Sequence, residues 1–433
     1  MGSSLNIAIP SIGHEFSVSA TVLSWVATAY ILATATCLLP AGRFADIRGR
    51  SRIYTAGIFL FSIATLFCGI ATSAPWLIFF RAVQGLGAAF IFSTGMAILA
   101  AAYPPESRGR ALGYSTASTY VGLSAGPVLG GLISFHYGWR IIFGFSALLG
   151  FVVFFAAYRF LNREECSDGE RFDTVGGCLY MAGLVSSLYG FSFLLDGWTP
   201  RLMLAAGIFL LVGFFRYERR QESPLVDIHL FTDNVTFAFS NLAAMINYSA
   251  TFAIGFLASL HLQVVMGLDA RDAGWVMLSQ PALMAAFSPF AGRLSDRVEP
   301  RIVASAGMAM TTVGLFFFIF VSRTTTLPVI MAELALIGLG FAFFSSPNNN
   351  AIMGSVGKEK YGTAASSLAT MRMVGQAVSM SIVALIMAMN GGRNAIGADS
   401  AIMLLASTRN VLIIFTLLST AGIYFSLKRG RVR

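Results

Sequence analysis

Three ionisable residues, Arg81, Glu333 and Arg372, stand inside long apolar runs. A charge at such a place in a bilayer costs at least about 2.5 kcal/mol, so each should face a partner or a polar cavity. The chemistry open to them is proton handling. A desolvated carboxylic acid can titrate near neutral pH and release its proton when a polar or cationic molecule arrives. Glu333, about six residues into its helix and so roughly 9 Å from the end, is the preferred carboxylate; a glutamate touching lipid headgroups is the alternative. Arg81 either takes part in that exchange or snorkels to the interface. Gln84, in the same span as Arg81, is a further candidate cavity residue. Asn247, Tyr248 and Asn348 add polar groups to otherwise apolar segments, where they line a cavity or bond neighbouring helices.

Two further stretches have informative spacing. In "GRFADIRGRSRI", residues 42–53, Gly42 lets a helix end pack closely and Gly49 permits a tight turn. Asp46 is placed to accept from a helix N-terminus or a neighbouring arginine, Arg50 and Arg52 included. In "GLSAGPVLGG", Gly122, Gly126, Gly130 and Gly131 make a smooth face for close helix packing. Pro127 in the same stretch leaves the Leu123 carbonyl without its helical partner and lets the helix kink.

The elements that carry these residues are membrane-spanning helices. The chain of 433 residues is 56% hydrophobic and only 11% charged, against roughly 25% charged in a soluble domain. Blocks near the ~20 residues needed to cross a bilayer recur throughout. Their long uninterrupted form excludes a barrel, whose strands alternate. Thirteen full spans are expected: 20–41, 53–71, 75–102, 111–134, 139–158, 174–195, 201–215, 235–257, 273–291, 302–321, 327–352, 363–389 and 408–427. The basic residues concentrate in every second connector, beginning with Arg43 and ending in the tail after Leu427. The positive-inside rule places those connectors and the C-terminus in the cytoplasm.

With thirteen crossings, parity puts the visible start outside. The apolar stub "LNIAIPSIG", residues 5–13, then reads as the outer end of a first helix whose beginning is missing, through a misassigned start or a shortened chain. Charged connectors at 159–173 and 216–234 divide the chain into an N-terminal bundle (1–158), a linker carrying two inserted helices (159–234) and a C-terminal bundle (235–433). "GRLSDRVEPRI", 292–302, repeats the spacing of Gly42 and Asp46, with Glu299 where the second glycine would stand. Related halves of this kind build transporters with a midplane binding site.

The net charge of +9 resides in short connectors, without a basic stripe or interleaved aromatics, which argues against nucleic acid. Cys37, Cys68, Cys166 and Cys178 lack CxxC spacing, so neither a disulfide framework nor a zinc site is indicated. No nucleotide loop or nucleophile constellation points to an enzyme, and no cofactor is implied.

Gly42-x-x-x-Asp46-x-x-Gly49-Arg50-x-Arg52, Arg81-x-x-Gln84-Gly85-x-Gly87, Gly122-x-x-x-Gly126-Pro127-x-x-Gly130-Gly131 and Asn6-x-Ala8-x-Pro10 together resemble the major facilitator superfamily, and within it the fourteen-span drug:proton antiporters. The resemblance implies an all-α fold of two six-helix bundles plus two inserted helices. It makes the 42–52 turn a cytoplasmic latch, gives Arg81 a part in proton coupling, and associates the 122–131 pattern with antiport. The stretch around Arg372, "SSLATMRMVGQ", is also similar to the family's. The aspartate and threonine that precede the asparagine in this branch have no counterpart before Leu5.

The expected function is export of hydrophobic or cationic small molecules in exchange for protons, by a monomer in the plasma membrane whose other partners are lipids. The rivals are transport of one specific metabolite, or a transport-dead protein acting as a sensor or assembly partner.

Overall fold

The computed structural model describes all residues except 1, 104, 162–171, 222–223, 358–359, 392–399 and 431–433. Most of the 159–173 connector, Cys166, and the basic residues Arg163, Arg171, Lys358, Arg393, Arg431 and Arg433 therefore lie outside the described residues. So do the side chains of Arg108 and Arg110.

The chain runs α1 (Gly2–Phe16), α2 (Ala20–Arg48), α3 (Arg50–Gly69), α4 (Ala74–Ala102), α5 (Pro105–Tyr137) and α6 (Arg140–Phe160). It continues with α7 (Thr174–Ser192), α8 (Trp198–Glu218), the short α9 (Ile228–Thr232), α10 (Val235–Thr251) and α11 (Ile254–Leu260). α12 (Ala270–Met277), α13 (Ser279–Ser295), α14 (Pro300–Phe318), α15 (Leu327–Gly354), α16 (Tyr361–Met389) and α17 (Ser400–Lys428) complete it.

Each of the thirteen expected spans falls on a helix, and among the described residues eleven segments are long and apolar enough to cross a membrane. Two spans depart from a single smooth helix. The span at 235–257 continues as α10, α11 and a π-helical turn at His261–Val265, and the one at 273–291 is divided at Leu278 into α12 and α13.

Lipid supplies no hydrophobic drive between helices, so association depends on close backbone approach. Three antiparallel pairs use facing glycines for it. A Cβ on Gly87 would meet the Phe61 amide at 2.6 Å and the Gly57 carbonyl at 2.9 Å, which ties α3 to α4. Gly183 and Gly207 do the same for α7 and α8, and Gly307 and Gly340 for α14 and α15.

The chain forms two compact units. One holds residues up to Ser24, Ala117–Ile142 and everything from Leu230 onward; the other holds Trp25–Thr116 and Phe143–His229. The first thus contains α1 and the second half of α5 together with α10 to α17. In it, Gly126 of α5 faces Ser3 (3.1 Å to its Cβ) and Gly130 faces Ser4 Cα at 2.7 Å. Gly131 meets the Ala270 backbone of α12, and a Cβ on Gly274 of α12 would meet the Pro127 carbonyl at 2.5 Å. The small-residue stretch of α5 is therefore wedged between α1 and α12. Gly122 has open space around it and plays no part in the wedge.

Candidate functional site

The unit built on Trp25–Thr116 and Phe143–His229 buries Arg81 completely enough (3% exposed) to dispose of the snorkelling alternative. Its guanidinium is held from three directions. Nε donates to the Val26 carbonyl at 2.9 Å, Nη1 donates to Gln84 Oε1, and the group lies 4.4 Å from the centre of the Tyr30 ring. Gln84, fully buried, passes the polarity on by donating to Thr65 Oγ1 at 2.5 Å, and Thr65 in turn donates to the Phe61 carbonyl at 2.6 Å. Hydrogen bonds to a charged group contribute about 1.5–3 kcal/mol each and a desolvated cation–π contact about 2, enough to offset the burial of one charge. The sequence placed Arg81 and Gln84 in one motif without indicating their contact; Tyr30 and Thr65 come from α2 and α3 and carry no signal beyond being polar in apolar helices.

The charged turn lies in the same unit. Arg50 Nε donates to Asp46 Oδ1 at 2.8 Å, bridging the end of α2 to the start of α3. Between them Gly49 has φ 94°, a backbone region in which a side chain costs about 1–3 kcal/mol. Gly42 departs from expectation: a Cβ there would stand 3.7 Å from Ser93 Cβ, an ordinary contact, because α2 and α4 are not at their closest at that point. Arg52 lines a cavity of about 430 Å3 between α3 and α6, with Thr55, Phe59, Phe154 and Tyr158 among its other walls.

The other unit gathers Tyr248 and Arg372. The Arg372 guanidinium lies 5.0 Å from the Tyr248 ring centre, and Tyr248 packs edge-on to Phe341 at 5.2 Å. Met284 and Tyr120 complete this packed aromatic cluster from α13 and α5. Beside Tyr248, Asn247 is fully buried, and neither its amide nitrogen nor its oxygen has a hydrogen-bond partner among the described residues; nor has Arg372 Nε. Buried polar atoms of this kind are uncommon in a native fold.

Asn348 lies apart from that group. Its Nδ2 donates to the Ser240 carbonyl at 3.2 Å, and its Oδ1 accepts from Arg429 Nη1 at 2.6 Å. Arg429, a tail residue by sequence, is fully buried and also donates through Nη2 to the Pro300 carbonyl at 3.1 Å. Burial lowers its guanidinium to about 10, still far above neutral pH, so it stays charged. Nothing in the sequence distinguished it from the basic residues around it. Glu333 is half-buried on α15, with Oε2 lacking a hydrogen-bond partner among the described residues.

Pro10 of α1 has no N–H, so the Asn6 carbonyl loses its helical donor. Ser259 Oγ of α11 takes that place at 2.5 Å, and Gln263 Nε2 donates to the Ile7 carbonyl at 2.9 Å. The π turn at His261–Val265 lies among these groups, in keeping with the frequent occurrence of π-bulges at functional places. At the far end of α1, Glu15 accepts from Trp139 Nε1 at 2.8 Å and pairs with Arg140 at 2.6 Å. The same Asn–Pro spacing that suggested the resemblance is thus the part of α1 that α11 grips. Among the described residues no three His, Cys, Asp or Glu side chains are placed to hold a metal ion.

Known proteins resemble the chain in both sequence and fold. The family model described as Major Facilitator Superfamily matches residues 1–216 and 241–427. The riboflavin transporter RibZ of Clostridioides difficile is 31% identical over 374 residues, covering 86% of this chain and 81% of that protein. The multidrug resistance protein Stp of Mycobacterium tuberculosis is 31% identical over 393 residues, covering 89% and 72%. The drug efflux pump JefA of the same organism is 29% identical over 378 residues, covering 86% and 74%. In fold, the chain is similar to a bacterial homologue of the human lysosomal transporter Spinster in an inward-facing, unoccupied conformation. There the TM-score is 0.66 at 18% identity, with 99% of this chain and 93% of that one covered. With the family model matched along most of its length and relatives sharing nearly a third of its residues, the chain belongs to the major facilitator superfamily, a transporter whose helices span the membrane.

Proposed function

We propose that the protein exports hydrophobic or cationic small molecules from the cell in exchange for protons, as a monomer of the fourteen-span drug:proton branch in the plasma membrane. The observation that carries the reading is the buried Arg81 network: a positive charge held by Val26, Gln84 and Tyr30 loosens the hold of a nearby acid on its proton. The glycine–proline stretch of α5 supports antiport, and two relatives bear drug-efflux names. Substrate would meet the pocket around Tyr248, Arg372 and Asn247, whose aromatic and methionine walls suit soft apolar molecules. Glu333 is the proposed proton carrier, and the 42–52 turn the cytoplasmic latch. The bundles 1–158 and 235–433 would rock about the midplane with the pair 159–234 inserted between them, and the C-terminus in the cytoplasm.

A second reading has its own support: RibZ is named a riboflavin transporter, so one planar metabolite is an alternative cargo for the same aromatic pocket. Everted vesicles separate the two. Proton-driven uptake of lipophilic dyes into such vesicles supports multidrug export. Uptake of riboflavin alone supports the single-metabolite reading, and no gradient-driven movement of either class, with protein present in the membrane, overturns both.

A further inference from the structure

The inserted pair α7–α8 carries a carboxyl pair that the transport machinery above does not use. Asp173 caps α7, its Oδ1 accepting the Gly176 N–H at 2.9 Å and the Tyr217 hydroxyl at 3.2 Å. Glu218 ends α8 and is only 2% exposed; its Oε2 accepts the Val226 N–H at 3.2 Å, which ties Val226 to the end of the helix. That leaves one oxygen on each group. Asp173 Oδ2 and Glu218 Oε1 are both buried with no hydrogen-bond partner among the described residues.

These two oxygens face each other. Each would lie 2.5 Å from a Cβ placed on Gly176, so they are separated by at most twice that distance, across the space the glycine leaves open. Two carboxylates so close in a buried space cannot both ionise; a single proton between them turns the repulsion into a hydrogen bond. Among the described residues Tyr217 donates to Asp173 and is itself bonded by Gln221, and the Leu225 and Val226 backbone groups face Glu218. Arg216, Arg219 and Arg220 on the same helix end are exposed and make no ion pair with either carboxyl among the described residues.

We infer that Asp173 and Glu218 form a further proton-binding site, in which Glu218 Oε1–H donates to Asp173 Oδ2. It lies on α7 and α8, away from Arg81 and Glu333 in the sequence and on different helices. Release of this proton to water sets two negative oxygens face to face, and a Glu218 carboxyl that turns away from Asp173 gives up its bond to the Val226 amide. Occupancy of the site therefore governs how firmly Val226 is held against the end of α8.

Infrared difference spectroscopy on the full chain in detergent tests this. The wild-type spectrum minus that of Glu218→Gln should contain one protonated-carboxyl C=O band at neutral pH, lost on alkaline titration, and Asp173→Asn should displace it. The amide introduced by Glu218→Gln can donate where the acid did, so this variant should melt close to wild type, whereas Glu218→Ala should melt lower. Tyr217→Phe removes a donor from the Asp173 carboxylate and should move the midpoint of the band to higher pH; it serves equally should Glu218→Gln fail to fold. The absence of a protonated band in the difference spectrum, or a midpoint unmoved by Tyr217→Phe, overturns the proposal. So does stabilisation by Mg2+ or Ca2+ that disappears in Glu218→Gln, since it would assign the pair to a divalent cation.

Discussion

Arg81 and Arg429 show two uses of a buried guanidinium. Arg81 faces a glutamine, a carbonyl and an aromatic ring, a set of partners that only a planar, multi-donor cation can satisfy at once. Arg81→Lys should keep the charge yet lose one or more of these bonds, lowering proton-driven dye efflux about tenfold or more, equivalent to ~1.4 kcal/mol. Protein level and melting temperature, measured alongside, should change far less. Arg429 instead joins Asn348, Ser240 and Pro300 at the end of α17. Arg429→Met would strip donors from the Asn348 oxygen and the Pro300 carbonyl, at about 1–3 kcal/mol for each buried acceptor left unpaired. A clear fall in the detergent melting temperature is the expected outcome; unchanged melting would show that the bonds contribute little. Glu333 is tested by Glu333→Gln, which should permit substrate binding while abolishing proton-coupled efflux, and unchanged efflux would remove Glu333 from the mechanism.

The helices pack by glycine contacts that differ from one position to the next. In α5, Gly131 abuts the Ala270 backbone while Gly122 faces open space. Gly131→Val should separate α5 from α12 and abolish transport, and Gly122→Ala should leave both expression and efflux near wild type. In the charged turn the contrast is between Gly49, held at φ 94°, and Gly42, which has room for a methyl group. The α1 tie to α6 is pH-dependent. The hydrogen bond from Arg140 above all holds the Glu15 carboxyl below the usual carboxylate range. Its contribution is therefore complete above the ordinary glutamate range and disappears as pH falls through the depressed value. Because both side chains are more than a third exposed, screening limits it to about 1 kcal/mol or less. Glu15→Gln should remove this acid-side loss from the melting-temperature profile.

The whole molecule carries a repeated interval: the same separation takes Gly42 to Gly292, Asp46 to Asp296 and Gly57 to Gly307. The copies have diverged in use. Asp46 pairs with Arg50, whereas Asp296 receives Asn350 Nδ2 at 3.5 Å, and the Gly292 site is the tighter one, with Ser346 Oγ 2.8 Å from where a Cβ would stand. Cysteine labelling from each side of the membrane should find the 42–52 turn and the tail after Leu427 accessible from the same, cytoplasmic, face; labelling from opposite faces would overturn the proposed topology. The helical class, helices of membrane-spanning length (eleven among the described residues) and the family were legible in the amino-acid sequence, because the bilayer requires every backbone polar group to be satisfied within a long apolar segment, and that requirement is local. The glycine at 49 likewise announced the tight turn, where the backbone takes φ 94°. What only the tertiary structure decided is which polar groups meet across helices: Arg429 with Asn348, Ser259 with the carbonyl freed by Pro10, and Glu218 facing Asp173. Those pairings depend on the rotation and depth of separate helices, set by the summed small contacts of glycines and side chains that no single segment encodes.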